Sequence, residues 1–329
     1  MTRGGGLQAA RSWIGGLGLA AVLAACGASA RKFIGPLPPV APVSAAQPFT
    51  FAVIGDNRPA MPKWKKRGGM EHPRWRDEAL LPHSTAYRQI IREINEARPS
   101  FVLHTGDMIL GYVHKFEDTS RAAWVLRKEF EGFKAATPLV VPLYPAPGNH
   151  DALDTLAARI YTQEIGPLHY AFTWGNSRFI ALDSNAGGKA RHRVDPDQRA
   201  WLAGALAASS GTARHVFVYL HEPLFPVLAP TPTNYHGHIG SSLDAHPAER
   251  DELHTLFVRY GGRAVFAGHE HLYNRQEKDG VTYFIVGGAG GEVYKELGEA
   301  GGGFDHYLMV TVEGDTVTYQ VKRPAPWTP

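Results

Sequence analysis

The sequence has one cysteine, Cys26, so no disulfide can close within the chain, and the lack of thiolate ligands argues against a closed structural zinc site. It has no marked excess of charge: 34 basic residues face 31 acidic ones, a formal +3. Without Arg3 and Arg11, which lie in the first 25 residues, the 34 fall to 32 against the same 31. Such a balance gives no electrostatic footprint for nucleic acid, and that partner is not expected. There is no internal repeat. The apolar stretch at residues 13–25 (WIGGLGLAAVLAA) is 13 residues long, short of the ~20 that a membrane-crossing helix needs. What is present is an ordinary globular composition over 329 residues, 44% hydrophobic and 20% charged, enough for a sizeable core. Sixteen histidines prompt a search for metal ligands.

The N-terminus reads as a targeting segment. Arg3 and Arg11 precede the apolar stretch, which ends in Leu23-Ala24-Ala25-Cys26. This resembles the lipobox of bacterial lipoproteins, which implies a signal peptide over 1–25 and lipidation of Cys26 as the mature N-terminus. Gly27 stands where an Asp is associated with inner-membrane retention in Gram-negative lipoproteins. The expected location is therefore the bacterial cell envelope, on a lipid anchor, and the outer membrane if the source is Gram-negative. Residues 26–48 are rich in Pro, Ala and Ser and read as a tether.

From Phe49 the pattern changes to short apolar runs separated by amphipathic stretches. FTFAVI (49–54), SFVLHT (100–105), LVVPLY (139–144), SRFIAL (177–182), HVFVYL (215–220), RAVFA (263–267), TYFIVG (282–287) and YLMVTV (307–312) read as strands. Ser84 predicts the start of one helix and Asp195-Pro196 of another; a third follows Ser120, and Pro247 to Gly261 frames a fourth. The alternation predicts an α/β domain over 49–323, closed by a hairpin through Glu313-Gly314-Asp315, with 324–329 as a tail.

Five of these strands end in polar, ligand-bearing turns. They are Gly55-Asp56-Asn57-Arg58, Gly106-Asp107, Gly148-Asn149-His150-Asp151, His221-Glu222-Pro223 and Gly268-His269-Glu270-His271. Ligands of α/β sheets bind beyond the carboxyl ends of the strands, so these turns can converge on one crevice. Singly, each Asp reads as a turn or cap and each His as a satisfied polar residue; the ordered set of five points to a metal site.

The set resembles the calcineurin-like metallophosphoesterase superfamily, whose pattern is D-x-H, G-D, G-N-H-[DE], a lone H and G-H-x-H in that order. The resemblance spans residues 49–321. It implies a four-layer α/β/β/α sandwich of the metallophosphoesterase type and a dinuclear centre that activates a hydroxide for hydrolysis of phosphate esters. By position, Asp107 would bridge two metals, Asp56 and His271 would complete the first site, and Asn149, His221 and His269 the second. The ions implied are two divalent or mixed-valence transition metals, with Mn, Fe, Zn or Co all suited to these donors. His150 would act on the phosphoryl or leaving-group oxygen, and Asp151 would orient its imidazole. Monoesterase, diesterase and pyrophosphatase activity are not separated by these motifs.

The first block departs from the pattern, because Arg58 stands at the family's histidine and a guanidinium has no lone pair to give. A related branch, the purple acid phosphatases, compensates with a tyrosine three residues after the second Asp; here that residue is Leu110. Asn57 or a water could fill the gap. Arg58 could pair with a substrate phosphate or only tie down its loop. Two insertions could shape substrate choice. Residues 61–76 hold six basic residues, one Glu and two Trp, and could attract an anionic substrate or lipid headgroups or be a solvated loop. Residues 225–246, with His236, His238 and His246, could be a lid or plain loop. The expected partners are a phosphorylated small-molecule or anionic substrate and a membrane. The alternative function is a non-catalytic surface lipoprotein that uses the cradle to bind metal or phosphate.

Overall fold

A computed structural model describes residues 47–60, 81–111, 118–186, 191–230 and 237–328. The leader, Cys26, most of the tether, the basic insertion 61–76 and His236 lie outside them.

Alternation along the strands decides the architecture. In β1 (Phe49–Ile54), Phe49, Phe51 and Val53 enter one core while Ala52 and Ile54 enter another. Four further strands divide in the same way. They are β2 (Phe101–His104), β5 (Ser177–Ala181), β6 (His215–Tyr219) and β7 (Gly262–Ala267). Phe101, Phe179, Phe217 and Phe266 all join Phe51 between two sheets. There, Phe51 stacks on Phe101 at 5.3 Å and meets Phe179 edge-on at 5.2 Å.

The first sheet has the order β11-β10-β1-β2-β3, where β3 is Leu143–Pro145, β10 Tyr307–Glu313 and β11 Thr316–Lys322. Its outer face is covered by α1 (Thr85–Ala97), α2 (Thr119–Ala136) and α3 (Thr155–Glu164), through residues such as Ile90, Ile94, Phe130, Phe133 and Ile160. The second sheet has the order β4-β5-β6-β7-β9-β8, with β4 Tyr170–Trp174, β8 Tyr273–Lys278 and β9 Val281–Val286. Leu202 and Leu206 of α4 (Pro196–Ser209) and Leu253 and Phe257 of α5 (Pro247–Arg259) cover its outer face. The layers therefore run helix, sheet, sheet, helix, as the resemblance implies. Among the described residues, no helix is long and apolar enough to cross a membrane.

The helix starts follow their caps. Ser84 Oγ accepts from Tyr87 N, and Asp195, with Pro196 behind it, accepts from Gln198 N. The cap of α2 is Asp118 rather than Ser120. β3 begins only at Leu143, because Pro142 has no N–H for the ladder and Val140 before it is exposed. Residues 324–328, read from the sequence as a tail, lie on α1: Trp327 sits over the Arg92 guanidinium at 4.2 Å, and Ala325 N donates to Glu93 Oε1 at 2.8 Å.

Candidate metal centre

β1, β2 and β3 run parallel in one sheet, and β5, β6, β7 and β9 run parallel in the other. Their carboxyl ends deliver the five polar turns together. The turns are wired to one another through the backbone: Asp56 N donates to Gly106 O, Arg58 N to Asp107 O, and Gly268 N to His221 O. Asp56, Asp107 and His269 all take left-handed backbone, with φ of 59°, 61° and 70°. That conformation costs a non-glycine residue about 1–3 kcal/mol and persists only where surroundings impose it. Glycines make room for the carboxylates: a Cβ on Gly148 would collide with Asp107, and one on Gly268 with Asp56.

Two groups of ligand atoms result. Asp56, Asp107 and His271 offer atoms within 4.8 Å of one another, all buried. His271 donates Nδ1–H to Glu292 O at 2.8 Å, which leaves the Nε2 lone pair facing Asp56 Oδ1 at 3.4 Å. The second group gathers on His221, which donates Nδ1–H to Thr105 O at 2.9 Å and so also turns a lone pair inward. Around His221 Nε2 stand Asn149 Oδ1 at 2.9 Å, His269 Nδ1 at 3.2 Å and Asp107 Oδ1 at 3.3 Å. Acceptor atoms this close repel unless a proton or a metal ion lies between them, and the donor set of carboxylate, amide and imidazole fits a metal at each position. Asp107 belongs to both groups, as a bridging carboxylate would.

Burial alone would lower His221, but the Asp107, Asp56 and Glu222 carboxylates outweigh it and raise the group, the same field that draws a cation. Burial lowers His269 far below the ordinary imidazole value, keeping it neutral and able to ligate. Burial alone would raise the Asp107 carboxyl, but His150, His221 and Arg58 outweigh it and bring the group down to about 2.

His150 Nε2 lies 3.7 Å from Asp107 Oδ2, on the rim of the centre. Its imidazole is set by the Leu110 carbonyl, 2.5 Å from Nδ1. Asp151 has other work than the orienting role expected from the sequence. Its two oxygens accept from the backbone N–H of Asp107, Gly148, Met108 and Ile109 at 2.8–3.2 Å, clamping one ligand turn to another. Asn57 does not take the place of the missing histidine. Its side-chain oxygen accepts from His104 Nε2 at 2.6 Å and its amide faces His83 Nδ1 at 3.2 Å, so it is committed away from the ligands. Arg58 does reach the centre: Nε stands 3.6 Å from Asp107 Oδ2.

Further residues, unassigned from sequence, surround these. Glu270, buried between His269 and His271, accepts from Val227 N and Leu228 N at 2.8 Å each and pins the insertion that follows His221. From that insertion His238 packs its ring 3.9 Å from that of His269, and its Nε2 faces Tyr294 Oη at 3.4 Å. Tyr294 in turn stacks on His271 at 5.3 Å. His246 instead bonds Arg191 O at the start of α5, at 2.9 Å. Glu222 is wholly buried and holds His192 Nδ1 at 3.0 Å. The signal for His238 was its place in a histidine-bearing insertion directly after a ligand; the others carry no local signature.

A family model, "Calcineurin-like phosphoesterase", matches residues 49–273. The chain is 24% identical to the serine/threonine-protein phosphatase CPPED1 of Danio rerio over 258 residues, covering 74% of this chain and 76% of that one. It is 25% identical to the CPPED1 of Rattus norvegicus over 232 residues, covering 68% and 70%. Among solved structures, a dimetal phosphatase from Danio rerio superposes with a TM-score of 0.52 at 16% identity, over 87% of this chain and 98% of that one. GAP50, titled the anchor in the inner membrane complex of Plasmodium, superposes with a TM-score of 0.55 at 12% identity, over 85% and 86%. Both structural likenesses speak for the fold.

Proposed function

This chain belongs to the calcineurin-like phosphoesterase family, and from that premise we propose that it hydrolyses phosphate esters at a two-metal centre outside the cytoplasm, held to the cell envelope by a lipid on Cys26. The observation that carries the hydrolytic reading is the pair of convergent lone-pair clusters sharing Asp107. Asp56, Asp107 and His271 would hold one ion, and Asp107, Asn149, His221 and His269 the other. When bound, such ions supply Lewis acidity, toward the phosphoryl oxygens and toward an attacking water.

The protein's own groups do the rest. Carbonyl anchors on His221 and His271 fix which nitrogen of each faces inward. His150 commits Nδ1–H to Leu110 O, so a proton for a leaving oxygen would come from Nε2 of the imidazolium, a form that burial disfavours by bringing the pKa down to about 4. Arg58 offers its remaining N–H groups to phosphoryl oxygens, where a guanidinium fork matches the acceptor geometry. The anchor rests on the basic, apolar and Leu23-Ala24-Ala25-Cys26 segments read in sequence order. The altered first motif favours a second reading, a non-catalytic cradle for metal or phosphate.

The test is metal analysis of the purified chain together with kinetics on an aryl phosphate monoester and diester. His150→Ala should lower turnover by ~10²–10⁴-fold, the usual worth of a positioned acid, with metal content unchanged. Full activity in that variant removes the proposed donor. A chain that holds metal yet turns over neither ester supports the binding reading.

A further inference from the structure

The two metal positions are not built alike. The second gathers Asp107, Asn149, His221 and His269. Among the described residues the first gathers Asp56, Asp107 and His271, one protein ligand fewer, and neither Asn57 nor Arg58 supplies the missing atom. Asn57 is held away by His104 and His83. Arg58 enters the space, with its side chain 11% exposed and its Nε 3.6 Å from Asp107 Oδ2. Arg58 Nε and Nη1 are buried and have no hydrogen-bond partner among the described residues. Buried N–H groups without acceptors are uncommon and costly, so this guanidinium is placed for its charge or for an anion.

Charge bookkeeping gives the consequence. Two carboxylates would make the first position the more negative and the more attractive to a divalent ion. Arg58 returns one positive charge to it at short range, inside a buried site where screening is weak. Its contact is with Asp107 Oδ2, whereas His221 Nε2 faces Asp107 Oδ1, so the offset falls mainly on the first side of the shared carboxylate and in part on the second. Ligand number then decides, and it favours the second.

We propose that Arg58 makes the centre unequal, so that the second position binds a divalent transition ion tightly and the first binds one at least tenfold more weakly. This deepens the two-metal reading above and rests on it. Arg58 thus sets how much free metal the environment must supply before both positions fill.

Equilibrium titration of the metal-free chain with Mn²⁺, followed by calorimetry and by elemental analysis after dialysis, tests this without any activity readout. The wild type should bind one equivalent tightly and a second at least tenfold more weakly. Arg58→Leu removes the charge without adding a ligand and should tighten the weak step at least tenfold, with a smaller effect on the tight step. Arg58→His supplies charge relief and a ligand and should tighten the weak step further. Asn149→Ala should weaken the tight step instead. Circular dichroism melts establish that each variant is folded. Two equal tight steps in the wild type, or a weak step in Arg58→Leu like that of the wild type, would overturn the inference while leaving the two-metal reading standing. Failure of every variant and the wild type to bind Mn²⁺, Zn²⁺, Fe²⁺ or Co²⁺ would overturn both.

Discussion

Asp151→Asn is the perturbation that best separates the geometry from expectation. Asp151 Oδ2 accepts from Asp107 N and Gly148 N, each at 2.8 Å, and Oδ1 accepts from Met108 N at 2.9 Å and Ile109 N at 3.2 Å. An amide of the same shape keeps one acceptor oxygen and turns an NH₂ toward the other pair. Two buried backbone N–H groups are then left facing a donor. Each such loss costs about 1–3 kcal/mol, so the variant should lose about 2–6 kcal/mol. At roughly 2 °C per kcal/mol for a domain of this size, Tm should fall by about 4–12 °C. Because the same N–H groups fix the turns that carry Asp107 and Asn149, metal content should fall too. A thermal melt followed by circular dichroism, with elemental analysis on the same sample, reads both quantities. If Asp151→Asn melts with the wild type and keeps its metal but loses turnover as His150→Ala does, the clamp argument is wrong and Asp151 works through the His150 imidazole.

Asp107→Asn removes the one carboxylate common to both groups, so elemental analysis should find both ions depleted, whereas His271→Ala should spare the second. Glu129, buried on α2 and accepting from Gly111 N at 2.9 Å, is pushed by burial from 4.5 up to about 7. Below pH 4.5 the carboxyl is neutral in both folded and unfolded chain; as pH rises toward 7 only the unfolded chain ionises, and stability is lost, by on the order of 3 kcal/mol in all. Glu129→Gln keeps an acceptor for Gly111 and cannot ionise, so denaturant melts should show it gaining on the wild type across that window; a pH-independent difference would refute the assignment. Cys26→Ser should move the protein from the membrane to the soluble fraction, since acyl chains hold by ~0.8 kcal/mol per buried CH₂; persistence in membranes would exclude this anchor.

The strands that build the crevice were legible because most of their residues are buried on both faces and read as short runs rich in Val, Leu and Phe. β8 was not. It sits at a sheet edge, its residues Tyr273–Lys278 are half-buried or exposed, and its sequence, YNRQEK, has the polarity that keeps an edge from pairing with other chains. β4 escaped for a related reason: it too is an edge strand, and its pairing with β5 turns on Gly175-Asn176 rather than on a strong apolar run. α3 buries only Ala157, Ile160 and Tyr161 of its ten residues, too narrow a stripe to stand out from the loop before it.

At the site, residue types and order pointed to ligands, but which way each side chain faces depends on partners far along the chain. Asn57 and Arg58 are neighbours, and by chemistry alone the amide is the better ligand. His104, 47 positions on, takes the Asn57 oxygen from one side, which leaves Arg58 the residue that reaches Asp107. His104 itself reads as part of the SFVLHT strand, and nothing local distinguishes it from a satisfied core histidine. It is wholly buried, its Nδ1 accepts from Gly106 N at 3.0 Å, and burial brings its pKa down to about 3, so it serves as a neutral link between the Asp56 and Asp107 turns. The same holds for His150 and Asp151, adjacent in a tight turn and therefore pointing apart: one reaches the rim of the centre, the other turns back onto four backbone N–H groups. Sequence order names the residues that can ligate; hydrogen bonds between segments distant in sequence determine which of them face the centre.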